Sequence, residues 1–184
     1  MTANMKSIKL ILTSASIACI TLLVNCGGTV SSGPSENTAS IDFAGGSAMR
    51  DNDNEIETGS LGLTVKRVYV VDASDKRISG SYVQLNSTFS IVFEGIRNFT
   101  LKKGKASPAL SLLVIDDNQN TVINKTDLLT MQAGGISEED ASRLRATIET
   151  SGPIKAGKYI CSIQVTDKNN TDAAIASTWS FEVK

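Results

Sequence analysis

The 184-residue chain contains no histidine. That absence excludes His-based triads, His general bases and imidazole metal sites together. Cysteine is nearly as scarce, with three in all. Cys19 lies in an apolar N-terminal stretch, Cys26 closes that stretch, and Cys161 stands alone in the rest of the chain. No disulfide can then form within a domain that follows Cys26, and zinc lacks its thiolates. Cys161, on an apolar strand, reads as a small core residue rather than a nucleophile. Phosphate-cradling glycine loops, dinucleotide fingerprints and nucleophile elbows are missing too. Beyond Val24 no apolar run approaches the ~20 residues of a membrane-spanning helix.

What the chain does have begins at its N-terminus. Met1 to Lys9 carries Lys6 and Lys9 and no acid, and Leu10 to Val24 is apolar or small throughout. As a helix that run would span roughly 22 Å, short of the ~30 Å hydrocarbon core. A basic start, a short apolar run and a small-residue end describe a signal peptide over residues 1–25, with Met5 as an alternative start.

Leu23-Val24-Asn25-Cys26 resembles a bacterial lipobox. The resemblance implies that signal peptidase II recognises Leu23, Val24 and Asn25 and cuts before Cys26, which becomes the lipidated, palmitate-bearing residue. The family usually has Gly, Ala or Ser where Asn25 stands, and Asn here is similar to the looser lipoboxes of spirochaetes and some other diderm bacteria. Gly27 in place of an Asp implies the outer membrane rather than inner-membrane retention, and leaves the periplasmic or surface face open. Two or more acyl chains make attachment stable, because each buried CH₂ contributes ~0.8 kcal/mol.

Residues 27–60 hold six Gly, six Ser and six acids (Glu36, Asp42, Asp51, Asp53, Glu55, Glu57) against the single base Arg50. With few large apolar residues to offset ordering entropy, residues 26–60 read as a lipidated cysteine plus a flexible acidic linker. The remaining residues, 61–184, carry 15 bases and 13 acids, a balance that gives no case for a nucleic-acid groove.

Residues 61–184 read as one domain of short strands. Leu63 to Val71 is β-branched and apolar, and Phe89, Ile91 and Phe93 alternate with Ser90, Val92 and Glu94. Phe99 and Leu101 extend the pairing as far as Lys102-Lys103-Gly104-Lys105, an exposed turn. Ala109 to Ile115 is a nearly continuous apolar run, as expected of a strand covered on both faces. Leu128-Leu129 begins another extended piece that ends at Gly134-Gly135. Ser137 can cap a helix that carries Glu138, Glu139 and Asp140 at its positive end and an apolar stripe of Leu144 and Ile148. Gly152-Pro153 ends that helix by about Glu149. Tyr159, Cys161, Ile163 and Val165, then Ile175, Trp179, Phe181 and Val183, form two opposed inward faces.

Gly157-Lys158-Tyr159-Ile160-Cys161 is similar to the G-x-Y-x-C segment of immunoglobulin-like sandwiches. The resemblance implies a corner hydrogen bond from Tyr159. Lys155 stands where an Asp is common, no partner cysteine exists, and Trp179 is on the last strand. The expectation is a mainly β fold, an Ig-like antiparallel β-sandwich of about seven strands with one short surface helix.

For chemistry, the best metal pattern is Asp116-x-Asn118-x-Asn120, with Asn124 and Asp127 at later loop positions. Alternate oxygen ligands suit Ca²⁺, although Thr121 replaces the sharp-turn glycine, and Asp/Asn-rich turns also arise simply because those side chains cap bends. The sequons at Asn86, Asn98, Asn124 and Asn169 read as Asn-rich turns in a bacterial protein. Glu94, Asp127 and Glu149 share no local acid–base motif. The expectation is a non-enzyme without cofactor or metal. It would be held at a membrane by its N-terminal lipid, as an interaction or structural module for a protein of the envelope or of a host. The second reading is a carbohydrate-binding module of an envelope or nutrient-capture system, for which Tyr82 is the least committed aromatic.

Overall fold

A computed structural model describes residues 46–130 and 134–184. The expected signal peptide, the lipobox-like segment with Cys26, and the expected linker up to residue 45 lie outside the described residues. The fold class is the expected one, an Ig-like antiparallel sandwich with one short surface helix. It has ten strands among the described residues rather than about seven. They are β1 (Ser47–Asp51), β2 (Ile56–Leu61), β3 (Arg67–Asp72), β4 (Tyr82–Val83), β5 (Thr88–Glu94), β6 (Pro108–Asp116), β7 (Thr121–Lys125), β8 (Arg143–Glu149), β9 (Gly157–Asp167) and β10 (Asn170–Val183), with α1 (Glu138–Ala141) before β8.

The larger sheet runs β1-β2-β10-β9-β6-β7, with β4 joined in parallel to the end of β10. The smaller sheet is β3-β5-β8. Their inner faces share one core in which Phe89 of β5 meets Trp179 and Phe181 of β10 edge-on at 5.5 and 5.4 Å. Trp179 and Phe181 stack at 4.8 Å, and Tyr159 stacks on Phe181 at 5.5 Å. Such geometries suit the ring quadrupoles, and each pair is worth about 0.5–1.5 kcal/mol beyond area burial.

Four further expectations are corrected. The linker ends earlier than Ser60, because Ser47–Leu61 forms the β1–β2 hairpin and docks on β10. Its small polar residues pack rather than dangle: Thr58 is buried, with its hydroxyl 2.8 Å from that of Ser177 across the strands. The helix stops at Ala141, not near Glu149. Ser137 caps it as expected, with Oγ accepting from the Asp140 N–H at 3.0 Å, but Arg143–Glu149 is β8. Leu144 and Ile148 are also two steps of a period-2 pattern through buried Ala146. Finally, β6 is covered on one face only. Leu110, Leu112 and Val114 are buried, whereas Leu113 is exposed on the outer side. Leu128-Leu129 forms a turn rather than an extended piece.

The registers define two poles. Ser47 pairs with Ser60, Ser60 with Ile175 opposite Val165, and Val165 with Leu110. The chain therefore enters β1 at the pole that also holds the β9–β10 turn and the start of β6, the proximal pole. The β1–β2 turn, the Asp116 turn and the β4–β10 pairing lie at the distal pole. Gly62 carries the chain from β2 towards β3 at φ 71°, where a Cβ would stand 2.9 Å from the Ala173 backbone.

Candidate functional site

At the distal pole, β10 outlasts β2 and takes a new neighbour. Tyr82 pairs with Glu182 and Val83 with Val183, which brings the only exposed aromatic among the described residues beside the outer face of β9. There a groove of about 450 Å³ is lined by Ser81, Tyr82, Asp117, Lys158, Ile160 and Glu182, among others. Tyr82 is 53% exposed, and the Lys184 ammonium lies 3.7 Å from its ring centroid. The groove combines an aromatic face, two carboxylates, an amine and a hydroxyl. That set can bind a polar ligand through hydrogen bonds and ring stacking.

The loop that shapes this pole depends on Asn54, a residue sequence reasoning assigned to the linker. Asn54 is buried, and its Nδ2 donates to the carbonyls of Ile78 at 2.7 Å and Gly80 at 2.9 Å. Its Oδ1 accepts from the Val70 N–H at 3.4 Å, and its carbonyl accepts from Trp179 Nε1 at 2.9 Å. One buried amide thus ties the β1–β2 turn, β3 and the approach to β4 together, and β10 joins through the Asn54 carbonyl. The only sequence signal for it was an Asn within an acidic, turn-rich stretch.

The calcium pattern does not assemble. Asp116 is closed on its own turn, with Oδ1 accepting from the N–H of Asn118 at 3.0 Å and of Asn120 at 2.8 Å. Its Oδ2 accepts from Asn120 Nδ2 at 3.0 Å, and these bonds from Asn120 and Asn118 hold its carboxyl below the usual carboxylate range. Asp127 is at the other end of the β6–β7 hairpin, where it accepts from the N–H of Leu129 at 2.8 Å and of Leu110 at 3.3 Å. Lys168 Nζ is 2.7 Å from its second oxygen. The physical reason is the hairpin itself: Asp116 and Asp127 flank paired strands, and a calcium loop would fold them onto one centre. No group of three metal-ligating side chains occurs among the described residues.

Glu94 and Cys161 are also engaged structurally, whereas Glu149 is exposed at the end of β8. Glu94 accepts from the Tyr69 hydroxyl at 2.7 Å and pairs with Arg67 on the outer face of the small sheet. The bonds from Tyr69 and Arg67 keep its carboxyl below the usual range. Cys161 is fully buried, and burial pushes its thiol well above the ordinary value, which suits a core residue. The Tyr159 hydroxyl makes the expected corner, donating to the Lys155 carbonyl and accepting from the Lys155 N–H, both at 3.0 Å.

No protein-family model matches the chain, and no curated protein matches it. Among solved structures it is similar to the C-terminal domain of wzt, with a TM-score of 0.48 and 8% identity over 71% of this chain and 78% of that one. It is also similar to the PmoD soluble domain from Methylocystis sp. ATCC 49242 (Rockwell), with a TM-score of 0.38 and 10% identity over 74% of this chain and 96% of that one. Both are loose likenesses and assign no function.

Proposed function

We propose that this protein is a non-catalytic module, lipid-anchored through Cys26 in a bacterial envelope, that binds a protein of the envelope or of a host. The observation that carries the non-catalytic reading is the engagement of three of its candidate acids. Asp116 closes a turn, Asp127 joins two loops and Lys168, and Glu94 sits in a surface pair with Arg67. None of them converges on another, so a general acid and base facing one substrate would have to come from elsewhere.

The distal groove around Tyr82 is the contact surface this reading favours. Affinity capture from envelope extracts tests it, with the chain from residue 26 bearing Cys26→Ser as bait. A bait starting at Leu61 would lack β1 and β2 and expose one edge of β10. A specific partner recovered by the wild type and lost with Tyr82→Ala supports the reading. Repeated recovery of no specific partner counts against it. The anchor has its own test: mass spectrometry of the membrane-bound protein should find an acylated amino terminus at Cys26, and an unmodified start elsewhere removes both anchor and location.

One observation favours a second reading, a carbohydrate-binding module. Tyr82 is exposed beside Asp117, Lys158 and Glu182, the pairing of a ring face with hydrogen-bonding groups that sugars require. A glycan array distinguishes it, since signal lost with Tyr82→Ala supports sugar recognition and background-level signal eliminates it.

A further inference from the structure

The proximal pole carries a patch that the distal groove does not need. Lys102 and Lys105 pair across a two-residue turn in which Lys103 and Gly104 have φ of 53° and 71°. Positive φ at both central positions is the hairpin-turn geometry that follows the natural strand twist. It projects three exposed lysines from one short tip. The Asp167 carboxylate fixes the base of the tip by accepting from the Thr100 N–H at 2.7 Å, and Asn169 Nδ2 donates to the Thr100 carbonyl at 2.8 Å. Lys168 stands on the same β9–β10 turn.

Large apolar side chains are exposed at the same pole. Leu101 precedes the lysine tip and is 41% exposed, Leu128 is 38% exposed, and Leu61 at the end of β2 is 37% exposed. Leu128 is placed there because its N–H donates to the Leu110 carbonyl at the start of β6. Leu61 is placed there by its pairing with Ala174. Exposed leucines among lysines form the composition that settles into a lipid interface, with apolar groups entering the headgroup layer and cations meeting phosphates. The pole also carries acids: Glu138, Glu139 and Asp140 of α1, the first two sharing a groove with Arg97. Asp127 and Asp167 at this pole are engaged with Lys168 and with the Thr100 N–H, which leaves the Lys102, Lys103 and Lys105 tip as its projecting positive charge.

The third observation is connectivity. The chain enters β1 at this same pole, and only 20 residues lie between Cys26 and residue 47. We propose that the proximal pole, centred on Lys102, Lys103, Lys105 and Leu101, docks the domain onto anionic phospholipid headgroups. The orientation this gives in the envelope rests on the lipid-anchor reading, but the lipid contact itself does not. The domain then lies against the bilayer with its Tyr82 groove facing away.

The test uses the chain from residue 26 with Cys26→Ser, which contains the whole described core and no lipid. It is mixed with vesicles of phosphatidylcholine alone or with phosphatidylglycerol added, and binding is read by co-sedimentation. The expected result is binding to the anionic vesicles only, weakened by salt. Each lysine at an anionic surface contributes roughly fivefold to partitioning, so Lys102→Glu with Lys103→Glu and Lys105→Glu should lower it at least tenfold. Leu101→Ser should lower the binding that survives high salt. Lys76→Glu with Lys155→Glu, at the distal pole and outside the groove lining, should leave partitioning within about twofold, less than one surface lysine contributes. Equal binding to neutral and anionic vesicles, no loss with the triple variant, or equal loss with the distal pair overturns the proposal. Melting temperatures of the variants separate loss of contact from loss of fold. Because the protein tested carries no acyl chain, a negative result leaves the anchor standing, and an unacylated Cys26 in cells leaves the vesicle result standing.

Discussion

Asn54 and Asp127 hold the loops at opposite poles of the sandwich, and they do so with different physics. Asn54 is a neutral amide in a dry site, bonded only to backbone groups. Asp127 is a carboxylate with a side chain 16% exposed, bonded to two N–H groups and to the Lys168 ammonium. A neutral hub is indifferent to pH and salt, whereas a charged one answers to both. The Asn54 junction at the distal pole is therefore built to keep its shape across conditions, and only the neighbouring Asp116 turn there is closed by a carboxylate with a lowered pKa. The proximal pole is built on a contact that titrates.

Substitutions can break this contrast, and the largest effect belongs to the core that both poles share. Trp179→Ala should cost ~4 kcal/mol, measured by denaturant unfolding, because it empties a stacked aromatic cluster. A cost below ~1 kcal/mol would mean the site collapses freely or is not packed as described. Asn54→Ala comes next at ~3 kcal/mol, since it leaves the Ile78 and Gly80 carbonyls and the Val70 N–H short of a partner. Its penalty should be the same at pH 4 and pH 7, which is the sharpest way to separate it from Asp127.

Asp127→Asn should cost ~2 kcal/mol at neutral pH through loss of the charge-assisted bonds. Burial acts to raise the Asp127 carboxyl, but the Lys168 ammonium and the N–H groups of Leu129 and Leu110 outweigh it, so the net value lies below the ordinary one. A carboxyl lowered in the folded state stabilises the fold above its unfolded value near 4, and that stability fades as pH falls through the folded value. Wild-type protein should lose stability on acidification below about pH 4, with a shallower slope in Asp127→Asn. Parallel slopes would remove Asp127 as the titrating contact. The smallest effects belong to the surface. Tyr82→Ala should shift stability by less than ~0.5 kcal/mol while reducing ligand capture, and millimolar Ca²⁺ should leave the melting temperature unchanged because Asp116 is closed on its own turn. A clear upward shift with Ca²⁺ would reinstate the calcium reading.

Much of the fold was legible in the chain, and the failures share a cause. β5, β9 and β10 were readable because alternation places large apolar residues on one face, and the Tyr159 corner was readable only through the resemblance of its G-x-Y-x-C segment to Ig-like sandwiches. The β1–β2 hairpin was not, because Thr58 and Ser60 face inward and pack by cross-strand pairing that composition does not reveal. Acids counted as linker charge turned out to shape that hairpin: Asp51 accepts from the N–H groups of Asp53 and Asn54. β8 was misread because Leu144 and Ile148, four apart, satisfy a helical stripe and a strand equally, and Ala146 between them is small. The Tyr82 groove was half legible. Tyr82 stood out as uncommitted, but its neighbours Asp117, Lys158 and Glu182 come from three other segments that only topology brings together.

β10 has a consequence for how the protein comes into being. Its 14 residues pair with β2, β4 and β9, and the buried Thr58–Ser177 contact closes 119 residues of chain. Without β10, β3-β5-β8 is still a sheet, but the larger sheet is left as two pieces, β1-β2 and β9-β6-β7. Loops of that length close slowly, so the step that β10 limits is the joining of these pieces and not their own pairing. The aromatic cluster of Phe89, Tyr159, Trp179 and Phe181 closes only when β10 joins them.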